Sequence, residues 1–262
     1  MRMVRILQSE SRKFFSLTLW WLALVFTPLG ALALTAVLVL AVSMTSRSPL
    51  DLDSADHLLA ATNLMGSLGY VIPLAMGVLI YTGDAGHRTL ALTLVGEPSR
   101  LLVYAAKLVV AAGYGAALGA VTALGGLLGG VFAPSSHGDT FAVLSLVAGP
   151  QFLLVCTFSI WAVLGVGLGA LVRSSLVAIV GVLVLTQLVE PLLRLMLSAQ
   201  ITGGPVPVLP GMANDAAIGG SLMALAMGGT EASVGAGMVV LLGYAVLAVA
   251  AGGVRAARYE LV

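Results

Sequence analysis

Residues 17–42 read LTLWWLALVFTPLGALALTAVLVLAV, an apolar run without one charged side chain. A helix needs about 20 such residues to cross the hydrocarbon core of a bilayer, so this stretch is long enough for a full span. It is also too long for the apolar part of a secretory signal, which is typically about 7–15 residues. Five further stretches of the same kind follow, at 58–81, 101–132, 141–172, 176–197 and 234–254. The third and fourth exceed what a bilayer requires and are expected to tilt or to continue beyond it as helix. Across all 262 residues only 9% are charged while 60% are hydrophobic. Soluble domains carry about 25% charged residues, so the surface here needs lipid as its solvent. The sequence predicts an all-α integral membrane protein of six transmembrane helices: a segment 1–16 ahead of a single domain 17–262.

Lysine and arginine set the orientation. Arg2, Arg5, Arg12, Lys13, Arg88, Arg100, Lys107, Arg173, Arg255 and Arg258 belong to one side, and only Arg47 and Arg194 to the other. The opposite side is acidic, with Asp51, Asp53, Asp56, Asp139, Asp215 and Glu231. This asymmetry predicts cytoplasmic N- and C-termini. A net charge of +1 gives no reason to expect nucleic acid as a partner.

Residues 1–16 have helical amphipathic spacing. Met3, Val4, Leu7, Ser11, Phe14 and Phe15 share one face, and Arg5, Ser9, Arg12, Lys13 and Ser16 the other, with Ile6 out of pattern. This fits a helix lying in the inner membrane interface; a plain cytoplasmic extension of the first span is the simpler alternative. Residues 198–233 are broken by Pro205, Pro207 and Pro210 and closed by Gly228 and Gly229. They read as a short outward hairpin whose helices dip partly into the membrane, or else as an ordinary loop.

The chemistry of catalysis is sparse. Neither Lys13 nor Lys107 stands in a phosphate-cradling G-x-x-x-x-G-K-[S/T] loop. His57, His87 and His137 lack metal-ligand spacing. The lone Cys156 cannot form an internal disulfide and reads as a small packed hydrophobe. Glycine pairs four apart, Gly115/Gly119, Gly126/Gly130 and Gly165/Gly169, suit close helix packing, static or sliding.

The segment 82–107 is the most informative polar stretch. Asp84 is expected near a helix N-terminus, where the dipole favours an anion. Residues 85–95 can form a short helix that Glu97-Pro98-Ser99 ends. A short polar helix held between two spans suits docking of a cytoplasmic partner. Farther on, Glu190 lies about 21 Å into its span at 1.5 Å per residue, where a charge is costly. Arg194 follows one turn later and Pro191 is placed to kink the helix. The pair lines or gates a path, or it is a structural ion pair.

Four segments in order resemble the permease subunit of type-2 ABC exporters, especially the short actinobacterial kind. They are Glu10-Ser-Arg-Lys13 with Trp20-Trp21-Leu22; Gly83-Asp84-Ala-Gly-His87-Arg88-Thr89 with Pro98-Ser-Arg100 and Ala106-Lys107-Leu108; Gly165-Val-Gly-Leu-Gly-Ala-Leu-Val-Arg173-Ser-Ser; and Leu188-Val-Glu190-Pro191-Leu-Leu with Leu209-Pro210-Gly211. The family usually has Glu and then Arg where this chain has Asp84 and Gly86.

The resemblance implies a multi-pass subunit of a bacterial cytoplasmic membrane. It works with two ATP-binding subunits and a second permease, identical or paralogous, and exports a drug, peptide, lipid or similar amphiphile. It implies no cofactor in this chain, with ATP and magnesium on the partner ATPase. It makes 82–107 a coupling segment in which Asp84, His87, Arg88, Thr89, Leu92, Glu97 and Arg100 contact the ATPase, and it makes Glu10, Lys13 and Phe14 part of the interfacial helix. Two other classes remain open. An ion-coupled secondary transporter would use Glu190-Pro191 as a broken-helix site. An intramembrane enzyme would build on Glu190 and Arg194.

Overall fold

The computed structural model describes residues 2–15, 18–45, 51–52, 54–86, 99–132, 145, 147–172, 174–198, 208–222 and 233–258. Among them the regular structure is helical throughout: α1 (Arg2–Phe15), α2 (Leu19–Ser43), α3 (Ala55–Thr62), α4 (Leu64–Gly69), α5 (Val71–Gly86), α6 (Arg100–Gly130), α7 (Gln151–Val172), α8 (Ser175–Val184), a π-turn (Leu185–Val189), α9 (Glu190–Ser198), α10 (Pro210–Ala217) and α11 (Val234–Ala257). Six stretches are long and apolar enough to cross a membrane: Leu19–Ser43, Leu64–Gly83, Arg100–Gly130, Gln151–Val172, Ser175–Arg194 and Val234–Ala257. The chain has the build of a multi-pass membrane protein.

The six are not equivalent. Of the most apolar windows, 56% of residues are buried in the second and fourth spans, but only 17% in the fifth and sixth. α7 is therefore central, packed against α5, α6 and α11, while α2 lies on the outside of α6. Glycine permits this closeness. A Cβ on Gly77 would collide with the backbone of Ala162, and one on Gly165 with that of Leu74, so α5 and α7 touch backbone to backbone. Gly115 and Gly119 do the same on α6, where a Cβ would come within 2.5 Å of Phe158 O and 2.8 Å of Val155 Cα. Such contact replaces the hydrophobic drive that lipid removes.

Prolines mark the breaks. The stretch 58–81 expected as one helix is interrupted at Asn63, just before the second span, and again at Tyr70 within it. Pro73 sits in the first turn of α5, where its missing N–H costs nothing, and α4 stops before it at Gly69. The fourth helix begins only at Gln151, after Gly149-Pro150, so it has 22 residues rather than the long span expected. α6 keeps the length expected of it: its 31 residues extend about 46 Å at 1.5 Å each. In the fifth span Pro191 has no N–H to offer Gln187 four residues earlier. The ladder loosens there into the π-turn, with Glu190 N–H bonded to Leu185 O five residues back.

α1 packs on the start of α6, but not with the face expected. Ile6, Glu10 and Phe14 are buried, whereas Val4 and Phe15 are exposed. Ile6, out of pattern in the sequence, belongs to the inward stripe beside Val103 and Ala106. α1 is thus a separate helix docked on the bundle, not a plain extension of α2.

Candidate functional site

Two polar clusters occupy opposite ends of the bundle. At the α1 end, Lys107 points inward from the second turn of α6 and is only 2% exposed. Its Nζ donates to Glu10 Oε2 at 2.6 Å and to Ile80 O at 2.9 Å. Lys13 Nζ holds the other oxygen, Glu10 Oε1, at 2.7 Å. One buried carboxylate is shared by two ammonium groups, and one lysine joins α1, α5 and α6. Phe14 seals the contact, its ring edge-on to Tyr114 at 4.8 Å. Glu10, Lys13 and Phe14 were singled out by sequence as parts of one helix. Their bond to Lys107, 97 positions away from Glu10, was not.

The expected coupling residues divide. Asp84 lies in the last turn of α5, not near a helix N-terminus, because α5 runs on to Gly86. Arg100 opens α6 after the Ser99 cap and is half-buried. The polar segment between helices is therefore shorter than 82–107. His87, Arg88, Thr89, Leu92 and Glu97, with the short helix expected at 85–95, fall largely or wholly outside the described residues.

At the other end, Glu190 is 1% exposed and bound on three sides. Arg194 donates to its Oε1 from Nη2 at 2.7 Å and from Nε at 3.2 Å. Gly211 N–H donates to Oε2 at 2.8 Å and Met212 N–H to Oε1 at 2.5 Å. Those two amides belong to the first turn of α10, which Pro210 opens at a position where a missing N–H is harmless. Glu190 therefore caps α10 from another helix, satisfying orphan donors and meeting the positive end of the dipole. Arg194 reaches on to Asp215 Oδ2 of α10 at 2.7 Å. Burial pushes the Asp215 carboxyl up, and Arg194 only partly offsets it.

The expected i,i+4 pair of Glu190 and Arg194 is present, and it holds a third partner that sequence reasoning had left among the loop acids. A signal was available: on the acidic side Arg194 is one of only two basic residues, and Asp215 follows the Leu209-Pro210-Gly211 turn.

α10 is no ordinary loop. Asn214 is fully buried and accepts from Trp161 Nε1 at 2.9 Å while donating to Gly66 O at 3.3 Å. Trp161 in turn stacks on Tyr70, with ring centroids 4.5 Å apart. The helix ends at Gly219, whose φ of +80° suits the left-handed residue of a helix C-terminus. Just before it, Ile218 O accepts from Asn63 Nδ2 at 3.0 Å. Through these bonds α10 is tied to the turns at Asn63 and Tyr70 and to the centre of α7.

Among the described residues no group of three or more His, Cys, Asp or Glu side chains could hold a metal ion. The chain matches no protein-family model and no curated protein.

Proposed function

We propose that the chain is the membrane-spanning permease subunit of an ATP-driven exporter of the type-2 ABC kind. It would sit in a bacterial cytoplasmic membrane with both termini in the cytoplasm. The observation that carries this reading is the Lys107 clamp. It binds α1, α5 and α6 together just above the point where α5 ends at Gly86 and α6 begins at Arg100. A push delivered to the polar segment between those two helices would move three helices as one body. Two ATP-binding subunits would supply that push, with ATP and magnesium bound on them. A second permease, identical or paralogous, would complete the path for a drug, peptide, lipid or other amphiphile. At the far end Glu190 and Arg194 act as positioning residues, holding α10 closed over the centre of the bundle until the spans separate.

The test is co-purification with an ATP-binding subunit of that kind, together with transport. Leu92→Asp is expected to abolish both without changing membrane insertion. Arg100→Ala is expected to cost little, because exposed charge pairs contribute about 0–1 kcal/mol. Unchanged docking and transport in Leu92→Asp would remove the segment from coupling. Orientation is checked by labelling single cysteines: Asp53→Cys and Asp139→Cys from outside, Glu97→Cys and Arg258→Cys only from inside.

One observation favours an ion-coupled carrier instead. The π-turn breaks the fifth span directly beside a buried acid, as broken helices do in such carriers. Transport that persists without ATP hydrolysis but collapses with the ion gradient would select that reading.

A further inference from the structure

α1 has three sides rather than two. At about 100° per residue, Met3, Ile6, Leu7, Glu10 and Phe14 form the side packed on α6. Next around the helix come Val4 and Phe15, about 20° apart although eleven residues separate them. Both are more than half exposed, at 57% and 55%. Beyond them lie Arg5 and Arg12, again about 20° apart, both exposed. Neither arginine forms an ion pair among the described residues. The helix's single acid, Glu10, is on the protein side and bound to Lys107. The free surface of α1 is therefore an apolar stripe bordered by an unopposed basic one.

The neighbouring aromatic residues fix its level. Phe15 lies edge-on to Trp20 at 4.9 Å, Trp20 Nε1 donates to Phe15 O, and Trp21 beside it is 44% exposed. Exposed tryptophan at the start of a span marks the boundary between headgroups and acyl chains. At that depth Val4 and Phe15 meet acyl chains, and Arg5 and Arg12 meet phosphates.

We infer that α1 is a binding surface for anionic phospholipid, with Arg5 and Arg12 on the headgroup and Val4 and Phe15 on the adjoining chains. This does not rest on the export reading and holds for any membrane protein built this way. Each arginine so placed is worth roughly a five-fold preference for an anionic over a zwitterionic lipid. Salt should weaken that preference.

The test uses the full chain in lipid vesicles, with Cys156→Ala and a fluorophore on Gln8→Cys, an exposed position between the two stripes. Quenching by spin-labelled phosphatidylglycerol is compared with quenching by spin-labelled phosphatidylcholine at equal mole fraction. Phosphatidylglycerol is expected to quench several-fold more strongly. The preference should be lost in Arg5→Gln/Arg12→Gln and kept in Arg5→Lys/Arg12→Lys. Equal quenching by the two lipids when both arginines are present overturns the proposal. So does an undiminished preference in the glutamine pair, or its loss in the lysine pair.

Discussion

The two polar clusters are mirror images in charge. At the α1 end one carboxylate, Glu10, is shared by two cations, Lys13 and Lys107. At the α10 end one cation, Arg194, is shared by two carboxylates, Glu190 and Asp215. In each cluster the backbone also takes part. Lys107 also donates to the carbonyl of Ile80, and Glu190 also accepts from the amides of Gly211 and Met212. The side chains suit the tasks. Lysine is a compact charge that here donates to groups on two other helices, while the planar arginine spans two carboxylates at once. The first cluster joins helices into a block. The second holds a small helix by its end, which is a lighter attachment.

The largest expected effect follows from that difference. Glu10→Leu takes the buried carboxylate away from Lys107. Removing one partner of a buried pair costs roughly 3–5 kcal/mol, so unfolding in detergent should shift by about 3 kcal/mol. Adding Lys107→Met should recover much of the loss, since an apolar replacement of both partners is often neutral. A double variant no better than Glu10→Leu alone would break the picture of a mutually dependent pair.

The α10 end should give a smaller and more local response. Glu190→Ala removes the acceptor for two amides and one of Arg194's partners, at about 2 kcal/mol. Because Arg194 keeps Asp215, the change should appear as faster hydrogen exchange in α10 while exchange in α7 is unaltered. Glu190→Gln retains one acceptor oxygen and should cost about half as much. Equal acceleration in α7 would mean that the cap supports the whole bundle.

Asp215→Asn is expected to be the mildest, about 1 kcal/mol or less, because it keeps an acceptor for Arg194. Its signature is in pH. Burial holds the Asp215 carboxyl above its ordinary value, so the folded protein binds the proton more tightly than the unfolded chain. That contribution is complete below the ordinary carboxylate range and is lost as pH rises through the raised value. An unfolding curve measured across mildly acidic pH should therefore slope downward with rising pH, and Asp215→Asn should flatten it.

Span number was legible in the sequence because hydropathy is a local property, and the largest boundary shifts are at the second span, which starts at Leu64, and at the fourth, which Gly149-Pro150 cut short. The Glu190 and Arg194 pair was legible for the same reason, since one helical turn separates them. Lys107 was not. It reads as a span-edge cation until α1 folds back to bring Glu10 to it, and no periodicity within either helix announces that meeting. The inward face of α1 was misjudged on the same account: Ile6 and Glu10 look ill-matched until Val103 and Lys107 stand opposite them. Asp84 was misplaced because α5 continues five residues, 82–86, into a stretch that composition marks as loop.

The π-turn at Leu185–Val189 sets the phase of everything after it. An i→i+5 bond takes up one residue more than the regular ladder, a step of about 100° around the axis. Glu190 is the next residue, and it arrives facing Gly211 only because that extra step has been taken. Deleting one residue from the turn would preserve composition, hydropathy and nearly all of the span's length. It would nonetheless rotate Glu190 and Arg194 together out of register with α10, leaving a capless helix on one side and an acid turned toward lipid on the other. A length polymorphism of a single residue, invisible to any hydropathy profile, would here act as a loss of the whole clasp.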